Sequence, residues 1–334
     1  MSFRAPVDGD AATRRRWVVI AGVTALVLLD VILVVWVLGR PQSSESGSQE
    51  PIAGAPSTDV TIEPEPDADP DADPPDDPGA PAQIEPVASG PAARILTAVD
   101  GDVAWRATTG ECPAAAASPE FSTDGGASWT TTDATGPTGV TALQRIIVSS
   151  ADVAAMVGAA ADDCTPTLIR TYVAGDNYAD YPAEVVSAWH VDPADRALVN
   201  APGGAVEAPC AAVVAVAAAS DVAAAVLCAD GSVSTTTDAG AAWSTPVAVA
   251  GAQALAPTDG GFVVARLGGT ACEGVGVAIV DAAGAGATDT GCLPVPRDPA
   301  TLAGQVAVSD GGGTLWLWAG EAVVRSTDRG ATWG

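Results

Sequence analysis

The stretch Ser122-Thr-Asp124-Gly-Gly126-Ala-Ser-Trp129 has the pattern hydroxyl-x-Asp-x-Gly-x-x-Trp, which occurs three times in the chain. The other copies are Thr236-Thr-Asp238-Ala-Gly240-Ala-Ala-Trp243 and Ser326-Thr-Asp328-Arg-Gly330-Ala-Thr-Trp333. Asp and hydroxyl side chains accept backbone N–H groups within a turn, and Gly adopts positive φ without strain. The Trp returns to apolar surface. Each copy follows a β-rich run, so the pattern predicts a repeated turn after a strand and a modular architecture.

The repeated pattern resembles the Asp-box, or BNR repeat, of sialidase-like β-propellers, and the resemblance covers residues 93–334. In that family the box joins the third and fourth strands of a blade, at the periphery and away from the ligand pocket. The resemblance therefore implies structural roles for the hydroxyl, Asp, Gly and Trp of each copy. Photosystem II assembly and stability factor-like propellers are non-enzymatic members, and similarity to them implies a protein-binding or assembly module.

Residues 93–334 consist of short apolar runs that alternate with Gly, Asp and Pro turns, which predicts an all-β domain. The runs form five groups of about 48 residues, the length of a four-stranded propeller blade. Because there are five such groups, we expect a five-bladed propeller, with six or seven blades as alternatives. Val185–Val191 is predicted to be the last strand of the second group. The groups begin at Ile95, Leu143, Ala211, Ala252 and Gly304.

The fifth group ends with the third copy of the pattern and lacks an outer strand. An open sheet edge is a liability, so a propeller ring has to close. We expect the segment Gln83–Ala88, just before the first blade, to supply the missing strand of the last blade.

Three segments precede the propeller. Residues 17–38 form an apolar run, interrupted only by Thr24 and Asp30, that is long enough for a transmembrane helix. Arg14–Arg16 before this run predict a cytoplasmic tail over residues 1–16 and an extracytoplasmic propeller; a cleaved signal peptide is the alternative. Residues 39–92 are rich in Pro and acidic residues and predict a disordered, extended linker.

Asp30 lies near the middle of the predicted transmembrane helix. An ionised carboxylate costs a few kcal/mol at that depth, so Asp30 is a candidate for pairing with another helix. The alternative is a carboxylic acid that an otherwise strongly apolar segment tolerates.

The chain is strongly acidic, with a formal net charge of −27, and all 14 basic residues are Arg. Such a charge repels nucleic acid, so nucleic-acid binding is not expected. The lysine-free, alanine-rich composition is typical of bacteria with GC-rich genomes.

Six cysteines lie beyond the predicted anchor, and an even number in an extracytoplasmic domain favours disulfides over free thiols. Cys210 and Cys228 flank a predicted hairpin near Ser220, and Cys272 and Cys292 flank another near Ala282. This leaves Cys112 to pair with Cys164. No C-x-x-C motif occurs, so neither a zinc site nor another cofactor is expected.

Candidate catalytic residues are few. Sialidases, as the resemblance implies, use three arginines, a Tyr activated by Glu, and an Asp. The Arg-Ile-Pro motif of that family is missing here, and the tyrosines Tyr172, Tyr178 and Tyr181 all fall in the second group. His190 is the only histidine and has no partner motif.

We therefore expect a surface module that binds an unidentified protein partner without catalysis. A sialidase-like glycosidase and a carbohydrate-binding module are the alternatives.

Overall fold

The structure of the chain, a computed structural model, describes residues 85–269, 272–295 and 298–334. The predicted tail, the transmembrane helix with Asp30, and residues 39–84 of the predicted linker lie outside these ranges. Within the described ranges, no helix combines the length and the apolar character needed to cross a membrane.

Six antiparallel sheets, which we call blades one to six, follow one another along the described chain. Blade one contains β1 (Arg94–Ala98), β2 (Ala104–Thr108), β3 (Glu120–Ser122) and β4 (Thr130–Thr131), and blade two contains β5 (Val140–Val148), β6 (Ala154–Ala160), β7 (Pro166–Thr171) and β8 (Ala179–Asp180). Blade three contains β9 (His190–Val191), β10 (Leu198–Ala201) and β11 (Gly204–Glu207), and blade four contains β12 (Val213–Ala218), β13 (Ala224–Cys228), β14 (Ser232–Thr236) and β15 (Val247–Ala248). Blade five contains β16 (Ala252–Thr258), β17 (Gly261–Leu267), β18 (Gly274–Asp281) and β19 (Ala287–Pro294), and blade six contains β20 (Val306–Gly311), β21 (Thr314–Ala319) and β22 (Ala322–Ser326). Three short helices lie between strands: α1 (Thr135–Thr138) and the 3-10 helices η1 (Pro182–Ser187) and η2 (Pro299–Leu302).

The six blades form a closed ring. The first strand of each blade contacts the first strand of the next, from β1 through β5, β9, β12 and β16 to β20, and β20 contacts β1. The predicted all-β propeller is therefore confirmed. The ring buries one hydrophobic cluster at each of its six blade interfaces. Leu96, Trp316 and Trp318 form the core of the cluster that joins blades six and one.

The preferred number of five blades is wrong, because the described chain forms six. Val185–Val191, expected as one outer strand, instead divides into the end of η1 and the two-residue strand β9. Residues 190–207 then form blade three, in a part of the chain where the sequence predicts no strand beyond Val191. Its strands have only two to four residues, and Asp192, Pro193 and Gly203 interrupt any alternation of apolar and polar residues.

Blade three also differs in direction. Trp189, just before β9, donates its indole N–H to the carbonyl of Ser220 beyond the end of β12. Val213, at the start of β12, donates to the carbonyl of Arg196, which follows β9. β9 therefore runs antiparallel to the neighbouring β12, so blade three begins in the direction opposite to blade four.

The segment before the first blade lies against blade five rather than blade six. The Val87 N–H donates to the carbonyl of Leu267 at 3.1 Å, and Gln253 Nε2 donates to the carbonyls of Val87 and Ala88. The prediction that 83–88 completes the last blade is therefore wrong for the described residues 85–88. The outer position of blade six is taken by Gly334, which exchanges two backbone hydrogen bonds of 2.9 Å with Arg325.

Three disulfides form, and their pairing is the one expected from the sequence. Cys112 bonds to Cys164, Cys210 to Cys228 and Cys272 to Cys292. The first joins the β2–β3 loop of blade one to the β6–β7 loop of blade two. These loops lie at one end of the propeller, which we call the disulfide end. The opposite end carries the β3–β4 turn and its equivalents, and we call it the turn end.

We predict that the Cys112→Ser/Cys164→Ser variant loses about 4 kcal/mol of the free energy of unfolding, because its disulfide closes the longest loop. That loop spans 52 residues, against 20 for Cys272–Cys292. The Cys272→Ser/Cys292→Ser control should lose about 3 kcal/mol. Urea unfolding under non-reducing conditions measures both. An unchanged stability of the first variant, or a larger loss in the control, contradicts the prediction.

Candidate functional site

The three repeated turns (122–129, 236–243 and 326–333) share one set of hydrogen bonds. In the first turn, Ser122 Oγ accepts the Gly126 N–H at 2.9 Å, and Asp124 Oδ1 accepts the Ser128 N–H at 2.9 Å. The Ser122 hydroxyl also donates to Asp124 Oδ1 at 2.8 Å. The equivalent residues make the same bonds in the second and third turns: Thr236, Asp238, Gly240, Ser326, Asp328 and Gly330. These side chains satisfy the turn's own backbone, which fits a structural role.

A fourth turn of the same kind lies in blade two, between β7 and β8. Thr171 Oγ1 accepts the Gly175 N–H at 2.9 Å, as the hydroxyl does in the repeated turns. Ala174 and Gly175 have φ of 52° and 81°, close to 59° and 84° for Ala239 and Gly240. In the sequence this turn matches the repeated pattern only in part, because Val173 occupies the Asp position and Tyr178 the Trp position.

Each of these four turns contacts the preceding blade around the ring. The aromatic residue makes that contact: Trp243 and Trp333 donate to the carbonyls of Glu207 and Cys292, Tyr178 hydrogen-bonds Thr132, and Trp129 packs edge-on against Trp316 at 6.5 Å. The geometry that these turns share requires glycine at Gly240, where a Cβ would lie 2.6 Å from Val206 Cγ2. The turns therefore connect neighbouring blades. The first turn connects blade one to blade six, which closes the ring.

We predict that the turns make stability depend on pH below pH 4. The Ser128 hydroxyl, the Ser128 N–H and the Ser122 hydroxyl lower the pKa of Asp124 to about 2, and the Thr332 hydroxyl, the Thr332 N–H and the Ser326 hydroxyl do the same for Asp328. A lowered pKa contributes stability above the unfolded value of about 3.9, and this contribution is lost as the pH falls towards 2.

The Asp124→Asn/Asp328→Asn variant should therefore lose less stability than the native chain between pH 4 and pH 2. Urea unfolding at several pH values measures the difference. Asp259→Asn, in the exposed β16–β17 turn, is the control and should retain the native pH dependence. An unchanged slope in the double variant contradicts the role of these carboxylates.

The central channel is a cavity with a volume of about 710 Å³. The first strands of all six blades line it. Most of the lining side chains are small and apolar, such as Ala215, Ala254 and Ala307. A cavity of this size holds a small molecule, so the channel is one candidate site.

Arg145 lines the channel together with Arg94 and Arg196. Its guanidinium donates from Nη1 to the carbonyl of Trp189 at 2.9 Å and, within the described ranges, forms no salt bridge. Burial lowers the pKa of Arg145 to about 10, so the group stays charged at neutral pH. His190 lines the same channel; burial lowers its pKa, and Arg145 acts in the same direction.

The constellation implied by a sialidase does not form around the described channel. No tyrosine lines it. Tyr178 hydrogen-bonds Thr132 at 2.7 Å, Tyr181 stacks under Arg170, and Tyr172 is exposed on the outside of blade two. The guanidinium of Arg94 hydrogen-bonds Gln305 and lies over the ring of Trp318 between blades six and one. It is therefore held away from the centre of the channel.

The turn end carries an apolar patch that sequence analysis missed. Tyr172, Val173, Val186 and Val222 are the exposed large hydrophobic side chains of the described residues. All four lie at the turn end of blades two, three and four, in the β7–β8 turn, in η1 and in the β12–β13 turn. Arg170, two residues before Tyr172, forms an ion pair of 2.6 Å with Glu184 of η1. Trp189, two residues after η1, donates a hydrogen bond to the carbonyl of Ser220 in the β12–β13 turn.

Acidic side chains surround this turn-end patch. Asp152, Asp176 and Asp221 are exposed next to its members. The carbonyl of Asp152 accepts the N–H of Ala174, which places Asp152 beside the Tyr172–Val173 pair. Arg170, the nearby cation, is already paired with Glu184. The patch is therefore apolar at its centre and negatively charged at its rim.

No protein-family model matches the chain, and no curated protein is similar to it. Several solved structures are similar to the chain. YCF48 bound to a D1 peptide is 15% identical over 76% of this chain and 71% of that one, with a TM-score of 0.28. A GH74 xyloglucanase from Xanthomonas campestris is 17% identical (72% and 37% covered, TM-score 0.29), and a lectin from Aleuria aurantia in complex with alpha-methyl-L-fucoside is 10% identical (75% and 96%, TM-score 0.43). At these values the propeller assignment rests on the chain's own six blades.

Proposed function

We propose that this chain is a membrane-anchored, extracytoplasmic Asp-box propeller that binds a protein partner through its turn end, without catalysis. The turn-end patch carries this proposal. Exposed large hydrophobic side chains are scattered singly on most soluble proteins, whereas a group of them on adjacent elements marks an interaction surface. Here the whole set belongs to three consecutive blades at one end.

Membership of the Asp-box family is supported by the shared hydrogen bonds of the three repeated turns and by their place between third and fourth strands. The anchor is supported by the apolar run over 17–38 and by Arg14–Arg16 before it. Residues 39–84 of the predicted linker would hold the propeller away from the membrane. Asp30 within the anchor is a candidate contact for a second helix.

The chemistry of the patch favours a protein over a sugar. Sugar sites present several exposed aromatic rings, whereas Tyr172 is the one aromatic member of the patch and Trp316 and Trp318 are buried between blades six and one. Valine side chains offer no hydrogen bonds to hydroxyl groups, but they bury well against the apolar side chains of a protein. Because the rim of the patch is acidic, the partner should carry Lys or Arg around its apolar contact.

We predict that the turn end forms cross-links to the partner and that the disulfide end does not. A photo-reactive benzophenone residue placed at Val222 in the full-length chain, in its native membrane, should give one discrete protein adduct on irradiation. The same residue at Ala114, which is exposed in the β2–β3 loop of the disulfide end, is the control. Adducts from Ala114 alone, or equal adducts from both positions, contradict the proposed surface.

Affinity for the cross-linked protein then tests the chemistry. Val186→Asp/Val222→Asp should weaken binding at least about tenfold, because it places charges in an apolar contact and adds to an acidic rim. Ala114→Asp changes the charge at the other end and should leave affinity unchanged. Titration calorimetry measures both, and equal affinities for the two variants contradict the proposal.

A further inference from the structure

The turn end carries a second surface, between blades five and six, that the turn-end patch does not include. The outer strand of blade five, β19, has eight residues, whereas the outer strands β4, β8 and β15 have two each. Proteins commonly keep edge strands short, because an edge offers unpaired N–H and C=O groups to another chain. A long outer strand is therefore a candidate position for an added strand.

One half of the β19 edge is already used by the next blade. The Cys292 N–H donates to the carbonyl of Gly330 at 3.1 Å, and the Cys292 carbonyl accepts the indole N–H of Trp333 at 3.1 Å. Ala287 and Asp289, in the half next to the β18–β19 turn, are exposed. The third repeated turn therefore contacts the later half of the strand, while the turn-end half faces solvent.

The hydrogen-bond register determines which backbone groups the exposed half presents. The Asp281 N–H donates to the carbonyl of Gly286, so these two residues form a hydrogen-bonded pair of the β18–β19 hairpin. Bonded and non-bonded pairs alternate along an antiparallel ladder. Ala287 and Asp289, one and three residues after Gly286, therefore direct their N–H and C=O groups away from β18. A spacing of two residues is the repeat with which a partner strand forms its hydrogen bonds.

A groove with a volume of about 660 Å³ adjoins this edge. β19 lines one side of it with Thr288, and the third repeated turn lines the other side with Thr327 and Arg329. Ile279 and Leu315 contribute apolar side chains to the lining. Side chains alternate between the two faces of a strand, so every second side chain of a strand added to β19 would enter the groove.

The charges that line the groove determine which side chain fits. Three carboxylates, those of Asp259, Asp281 and Asp310, oppose Arg329, the one cation among the described lining residues. The Asp310 carboxylate is held in place because it accepts a hydrogen bond from the hydroxyl of Thr258. Each carboxylate oxygen accepts more than one hydrogen bond. A Lys or Arg side chain matches this groove, since its stem is apolar and its end is a cation.

We propose that the groove between blades five and six binds an extended peptide segment that adds to the β19 edge and directs a Lys or Arg side chain towards these carboxylates. Backbone hydrogen bonds to Ala287 and Asp289 supply affinity, and the groove supplies the preference for a basic side chain. The proposed site shares no residue with the turn-end patch and does not depend on it.

A phage-displayed library of random heptapeptides tests this site. The full-length Ala287→Pro variant in detergent micelles first depletes the library, and the native full-length protein then selects from it. Proline removes the outward N–H of residue 287 but no hydrogen bond to β18, and such edge positions tolerate it. The depleted library should yield peptides with Lys or Arg between β-branched or aromatic residues. An absence of enrichment, or an acidic consensus, overturns the proposal.

Fluorescence anisotropy of a selected peptide then measures affinity. Ala287→Pro should weaken binding at least about tenfold, because it removes an edge donor and leaves a peptide carbonyl unpaired. Ala205→Pro is the matched control and should bind natively. The Ala208 N–H donates to the carbonyl of Ala197, and this register directs the N–H of Ala205 on β11 away from β10.

The charge preference is measured on the native chain, so it does not depend on the folding of any variant. Glu in place of the basic residue of the selected peptide should weaken binding at least about tenfold, because carboxylates line the groove. Equal affinity of the Glu peptide overturns the proposal. Native affinity of folded Ala287→Pro, or an equal loss in Ala205→Pro, does the same. Urea unfolding shows whether each variant is folded.

One further variant separates this site from the turn-end patch. Val186→Asp/Val222→Asp should bind the selected peptide with native affinity. If this variant loses the peptide while Ala287→Pro retains it, the peptide binds the turn-end patch. That result overturns the inference about the groove and leaves the proposed function supported.

Discussion

The hydrogen bond from a glycine N–H to the hydroxyl that ends the third strand is the interaction on which the ring depends. It holds the two positive-φ residues of the turn in place, as at Ala239 and Gly240. The chain is thereby directed so that the aromatic residue three positions later reaches the preceding blade. Without this local bond the blades would still be sheets, but nothing in the turn would fix the angle between one blade and the next.

The two ends of the propeller are held by different chemistry. At the turn end, side chains satisfy the backbone and aromatic residues connect blade to blade. At the disulfide end, covalent bonds connect blade one to blade two and the chain after blade three to blade four. The seam between blades two and three has the smallest buried cluster, centred on Val157, Leu168 and Ala188. The apolar patch lies across this seam, where η1 replaces a regular strand.

The sequence predicted the features that local chemistry determines. The turns, the strands around them and the cysteine pairs follow from residue types at fixed spacings, and the all-β propeller follows from their repetition. Blade three was missed because strands of two to four residues leave no periodicity, and its short β9 adjoins a 3-10 helix. The contact of the Val87 segment with blade five was not predicted, because its partners Leu267 and Gln253 are far away in sequence.

The candidate sites were harder to predict for a related reason. Tyr172, Val186 and Val222 lie in three separate connections, and only the ring brings them to one end. Arg145 did leave a signal, since it is the one charged residue in the apolar run from Leu143 to Val148. Its lack of an acidic partner, however, is a property of the folded channel and not of the sequence.

A double-mutant cycle between Trp129 and Trp316 tests the closed six-bladed ring most directly, since their edge-on contact joins the first turn to the last blade. With Trp129→Leu and Trp316→Leu measured by urea unfolding, the account predicts a coupling free energy of about 0.5–1.5 kcal/mol. The same cycle between Trp129 and Trp333, which contacts blade five instead, should give none. Zero coupling for the first pair, or equal coupling for both, would contradict closure of the ring through this turn.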